Sequence, residues 1–155
     1  AYNKVGVATG IARAALRHFT VLANEKKPRG SSAPLSHRAD AQRAMAEASR
    51  VVGAARSYVF ETVSDLYSVV ERGEKPTVEQ RALVQLACSG AATDCVRAVE
   101  MLYSAAGASV NFLTSPLERC MRDVMVVRQH IMVSPQYTDA IGRALLGIPS
   151  GTFLF

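Results

Sequence analysis

Residues 115–130, SPLERCMRDVMVVRQH, thread ionisable side chains through an apolar stripe. Leu117, Cys120, Met121, Val124, Val127 and Ile131 recur every three or four residues, the spacing of one helix face. Between them stand Glu118, Arg119, Arg122, Asp123, Arg128 and His130. Asp123, Val126, Val127 and His130 fall on a common face, so the pattern places an imidazole beside a buried seam. Imidazole changes charge near neutral pH and can move or share a proton there. The alternative is structural: an imidazole bonded to a helix partner at the seam. Arg119, Arg122 and Asp123 lie on adjacent turns and suit ion pairs that lock neighbouring helices, because buried charges must be paired. Ser115 and Glu118 have the spacing of a capping box, with Pro116 at the first helical position, so a helix is predicted to start there.

Other elements must position that helix. From about 3 to 26 the pattern is helical, with Val7, Ile11, Ala14, Ala15, Phe19 and Leu22 as the expected buried stripe. Gly6 and Gly10 each cost about 1 kcal/mol against Ala. Their spacing fits tight packing, or close approach of another backbone or a ligand. Residues 27–35, KPRGSSAPL, read as loop. Ser36 can cap a second helix that runs to about 72 and ends at Gly73. Ala44, Ala48, Val51, Ala55, Val59, Val63, Leu66 and Val70 form its stripe, and its length is on the order of 54 Å. Thr77 to Gln80 is a second capping box. The third helix carries Leu83, Leu86, Ala87, Gly90, Ala91, Val96, Ala98, Met101 and Leu102, and should break near Gly107, behind Ala105 and Ala106. The fourth should end near 133, before Ser134 and Pro135, with a short helix over 137–146.

No strand pattern survives this pass. The expected fold is all-α: an up-down-up-down four-helix bundle with a short extra C-terminal helix, one domain over 1–155. The second helix would present more apolar area than one neighbour covers. The tail IPSGTFLF is apolar too, so oligomerisation is expected.

Bulk properties narrow the function classes. The chain has 155 residues, 49% hydrophobic but only 6% aromatic, which favours close-packed alanine-rich helices over a sandwich. No apolar run has the roughly 18 residues of a membrane span, and no signal-peptide pattern opens the chain. Cys88, Cys95 and Cys120 are odd in number and lie inside helical patterns, which reads as reduced, buried and cytoplasmic. Cys88 and Cys95 are one heptad apart, a core spacing, so no metal site is expected. The net charge is +5, and Lys26, Lys27, Arg29, His37, Arg38 and Arg43 form the basic cluster. Acids interleave with the bases elsewhere. That pattern suits a solvated surface or a pocket for a phosphorylated cofactor better than nucleic acid. His18 and His37 are expected at the surface or an interface.

Three stretches, GIARAALRHFTVLA at 10–23, LYSAAGASV at 102–110 and SPLERCMRDVMVVRQH at 115–130, together resemble the C-terminal helical domain of the acyl-CoA dehydrogenase superfamily. The branch they are most similar to is that of two-component flavin-dependent monooxygenases, of the p-hydroxyphenylacetate hydroxylase and dibenzothiophene monooxygenase type. The resemblance implies a piece of a larger flavoenzyme, without the N-terminal helical and middle β domains that relatives carry. It implies reduced flavin (FMN or FAD) delivered by a separate flavin reductase, a homotetramer, and oxygen used to hydroxylate a small aromatic or heteroatom substrate. Dehydrogenases of the superfamily keep a catalytic Glu shortly after the R-D pair. Eight residues beyond Asp123 stands Ile131, and before it His130, which the resemblance assigns as the catalytic residue facing the flavin. It also marks Arg29, Ala105, Ala106 and Gly107 as candidate cofactor contacts, the last three toward the flavin of a neighbouring subunit. For Arg119, Arg122 and Asp123 both ion pairing and flavin contact stay open. Two alternatives remain: a domain of an acyl-CoA dehydrogenase proper, or a helical assembly module without catalysis.

Overall fold

Alanine sets the closest contacts of this molecule. In a computed structural model, which describes residues 2–153 and 155, α1 (Tyr2–Glu25), α2 (Ala39–Glu71), α3 (Val78–Ala106) and α4 (Pro116–Arg128) run up, down, up and down. A short α5 (Thr138–Leu145) follows. No strand occurs among the described residues. The helix order and the extra C-terminal helix agree with the sequence pattern.

α3 is the central element. It packs on α2, α1, α4 and α5, and buries residues over most of its circumference, from Ala82 and Val84 to Leu102 and Ala106, leaving one face with Arg97, Glu100 and Ser104 exposed. A helix that is small and apolar over a wide arc can be flanked by several neighbours, and close backbone approach then excludes water. Thr77 starts it with a complete capping box: Gln80 N–H donates to Thr77 Oγ1 at 3.1 Å, and Thr77 N–H to Gln80 Oε1 at 2.9 Å. Gly107 ends it at φ 73°, a left-handed conformation that glycine adopts without Cβ strain.

The core face of α1 differs from the expected stripe. Val5, Ala8, Ala12, Ala15, Phe19 and Ala23 are buried, while Ile11, Ala14 and Leu22 are half-buried and Val7 is exposed. The small residues take the seam because two backbones meet there; the bulkier ones flank it. Gly6 and Gly10 face open space, with nothing within 4 Å of an added Cβ, so neither tight packing nor a close backbone within this chain explains them. α2 begins at Ala39 after a 3-10 turn over Leu35–His37, with Arg38 and not Ser36 at the cap. Its last inward residue is Val69, and Val70 faces out.

α4 departs most. Ser115 precedes it without a side-chain capping bond, so the expected capping box is not formed; Glu118 instead meets Arg122 at 3.3 Å. The helix stops at Arg128, about five residues early. Pro135 bars α4 from running past about residue 133. The chain leaves the helix earlier, at Gln129, and Val133 is fully buried beyond the turn. The tail lies partly open, with Leu146 and Phe153 exposed; Leu154 lies outside the described residues.

Candidate functional site

The early end of α4 puts His130 on a turn, not on a helix face. Three backbone bonds shape that turn: Gln129 N–H to Val126 O at 3.1 Å, His130 N–H to Val127 O at 3.1 Å, and Val133 N–H to His130 O at 2.9 Å. The imidazole is exposed in this chain, beside the core and not within it, which corrects its expected place at a buried seam. Met132 N–H donates to His130 Nδ1 at 3.2 Å. The buried Gln85 of α3 donates through Nε2 to Met132 O at 3.0 Å. Thus a buried amide on the central helix grips the turn that carries the ring.

The remaining candidates gather at the opposite end of the bundle. Lys26 reaches from the end of α1 to donate to Ala106 O at 2.5 Å and to Ser109 Oγ at 2.7 Å. An ammonium at the carbonyl end of α3 also opposes the partial negative charge of that terminus. Ala106 is buried and Ala105 half-buried, so their side chains serve packing, while Gly107 is exposed. A Cβ at Gly107 would lie 3.5 Å from Lys26 Nζ. Arg29 lies exposed in the following loop. A cleft of about 540 Å³ opens here, lined by His18, Glu25, Lys26, Ser109, Thr114 and Pro116. A second, of about 530 Å³, continues along α1 and α4 past Ile11, Arg119, Cys120 and Asp123, and shares His18.

Gln85, two turns into α3, and Ala106 at its end stand some 30 Å apart at 1.5 Å per residue. The structure therefore brings Ala105, Ala106 and Gly107 together with Lys26, and keeps all of them far from His130. Arg119 and Asp123 pair at 3.4 Å, and Arg122 pairs with Glu118, both along α4 itself. These ion pairs bridge turns of one helix and lock no neighbouring helix; i, i+4 spacing on a partly solvated face allows them to close locally. Among the described residues no group of three or more His, Cys, Asp or Glu could hold a metal, and no helix is long and apolar enough to cross a membrane.

Sequence reasoning missed Gln85, whose signal was a lone long amide in the small-residue register of α3. It named Lys26 in the basic cluster and His18 as a surface or interface group, but not the cleft they share, which forms only when α3 and α4 are placed beside α1.

Residues 3–135 match the protein family described as acyl-CoA dehydrogenase, C-terminal domain. Indole-3-acetate monooxygenase of Acinetobacter baumannii is 28% identical over 142 residues, 92% of this chain and 36% of that protein. Indole-3-acetate monooxygenase of Pseudomonas putida is 31% identical over 144 residues, 91% of this chain and 36% of that protein. The chain thus spans about a third of the length of these relatives. XiaF from a Streptomyces species, solved in complex with FADH2 and glycerol, superposes with a TM-score of 0.88 at 16% identity over 96% of this chain and 38% of that one, a likeness of fold.

Proposed function

The chain belongs to the acyl-CoA dehydrogenase C-terminal domain family, and from that membership we propose that it is the flavin-side and oligomerisation domain of a flavin-dependent monooxygenase. Its similarity to two indole-3-acetate monooxygenases over nine-tenths of its length carries this reading. The residue after Asp123 by eight is Ile131, which has no basic atom, so a dehydrogenase that takes its base from that position is disfavoured.

The residues present fit a flavin in two different ways. At the α3 C-terminus, Lys26 spends two of its three N–H donors on Ala106 and Ser109 and keeps one for an anion. With Arg29 it would hold a phosphate end, and a cofactor carrying two phosphates, FAD over FMN, suits that pair of cations and the FADH2 of the XiaF complex. At the other end His130 would face the reacting edge and the substrate. The 30 Å between these stations exceeds what one site would span, which supports two different flavins of neighbouring subunits in a homotetramer. A reduced flavin bound there supplies the two electrons that take one oxygen atom of O2 to water while the other enters the substrate. The chain's own part is to position that substrate beside the imidazole, and the exposed turn then needs a cover from the rest of such a protein to keep water out.

The substrate class proposed is a small aromatic acid, with indole-3-acetate as the probe. A separate reductase would supply the reduced flavin, and a cytoplasmic setting suits three unbridged thiols. The test is His130→Ala in the full-length enzyme, given reduced FAD, air and indole-3-acetate. Flavin binding should persist while hydroxylated product, read by mass spectrometry, falls by about 10²-fold or more. Unchanged turnover would remove His130 from catalysis. Turnover of an acyl-CoA with an electron acceptor, and none with the indole acid, would select a dehydrogenase instead.

A further inference from the structure

Met132 is held on both of its backbone polar groups, and each bond has only one possible direction. A carbonyl oxygen only accepts, so the Gln85 side chain must present Nε2 to Met132 O, at 3.0 Å. A backbone N–H only donates, so Met132 must find a lone pair on His130 Nδ1, at 3.2 Å. A neutral imidazole that accepts at Nδ1 carries its proton on Nε2. The bond from Gln85 crosses the bundle from α3, and Gln85 is only 3% exposed, so its amide has little water to turn to if it lets go. Val133, next in the chain and fully buried, fixes the other side of the same residue.

We propose that Gln85 is a positioning residue: through Met132 it holds His130 as the Nε2–H tautomer, so that the exposed ring nitrogen meets its ligand as a hydrogen-bond donor. This rests on the reading of His130 given above, and it narrows that reading. A ring whose Nδ1 is already engaged and whose Nε2 bears a proton has no free lone pair with which to deprotonate a substrate. It can instead donate to a carboxylate, a phenolate-like oxygen or an oxygen that gains negative charge as the bond forms. Binding of an anionic or electron-rich substrate is the chemistry such a donor serves.

The test uses the full-length enzyme labelled with nitrogen-15 in its histidine rings, with His130→Asn identifying the His130 signals. The wild type should show an acceptor-type Nδ1 and a protonated Nε2. Gln85→Met, of similar length but without a donor, should give a mixture of tautomers. Turnover of indole-3-acetate should fall about five- to tenfold in kcat, with KM little changed, the loss expected of one hydrogen bond. A wild-type ring protonated on Nδ1 overturns the proposal, and this holds even if the Gln85 variant fails to fold. A folded Gln85→Met with wild-type tautomer and turnover overturns it as well. If His130→Asn turns over normally, the catalytic reading of His130 fails by itself, while the ring spectrum still decides whether Gln85 sets the tautomer.

Discussion

A thiol reacts as its thiolate, and Cys88 and Cys95 lie where a thiolate would have little water around it. Loss of hydration pushes Cys95 up to about 12 and Cys88 up to about 11 from 9.0. Cys120 moves the same way, through burial first and the nearby Asp123 charge second. The sign follows from linkage: these groups hold their protons longer folded than unfolded. Their contribution is therefore full below pH 9 and is lost as pH rises through 11 and then 12. The urea midpoint of the chain should hold steady up to about pH 9 and then fall, and less so in a Cys88→Ala, Cys95→Ala double variant. Equal alkaline loss in both proteins would mean that other groups govern it. The same burial keeps Cys88 and Cys95 away from any substrate, whereas His130 is exposed.

Helix ends differ in how much local chemistry decides them. Thr77 and Gln80 satisfy each other reciprocally at the start of α3, as the sequence spacing predicts. Ser115 and Glu118 have equal spacing, yet the Glu118 carboxylate turns along the helix to Arg122 and the serine hydroxyl makes no cap. Thr77→Ala should cost about 1 kcal/mol in chemical denaturation, and Ser115→Ala should stay within about 0.5 kcal/mol. A Ser115 cost equal to that of Thr77 would show that the hydroxyl does cap α4. The pairs Arg119 with Asp123 and Arg122 with Glu118 add only a few tenths of a kcal/mol each, being i, i+4 pairs on a solvated face. α4 is held mainly by Leu117, Cys120 and Val124 against α1 and α3.

The bundle leaves large aromatic side chains of α2 uncovered among polar neighbours. On α2, Phe60 is 59% exposed and Tyr67 62%, two turns apart on one side of the helix, with the Arg56 guanidinium 4.6 Å over the Phe60 ring. A face of that kind suits burial against another subunit, as the homotetramer proposal requires. Phe60→Glu with Tyr67→Glu should lower the mass of the particle in multi-angle light scattering while the helical circular dichroism persists. An unchanged mass would show that Phe60 and Tyr67 lie outside the subunit contact.

Helix number, order and direction were legible in the sequence, because periodicity, Gly107 and the Thr77 box act within a few residues of themselves. The family motif at 118–123 was legible for the same reason, and it led to His130. What surrounds those residues was not. Ala8, Ala12 and Ala15 are weak hydrophobic signals, so only the approach of α3 shows that they, and not Val7, form the seam. The end of α4 was lost because Ile131 continues the apolar spacing past Arg128, whereas the chain there turns, with Val133 seated in the core and Met132 bonded to Gln85. Residues 47 apart in sequence meet in that bond, and no local pattern encodes such a meeting. Sequence determined which side chains could do chemistry and the order of the helices around them. Tertiary structure decided which end of the bundle each one reaches and which atom of His130 faces out, because those depend on contacts between distant segments.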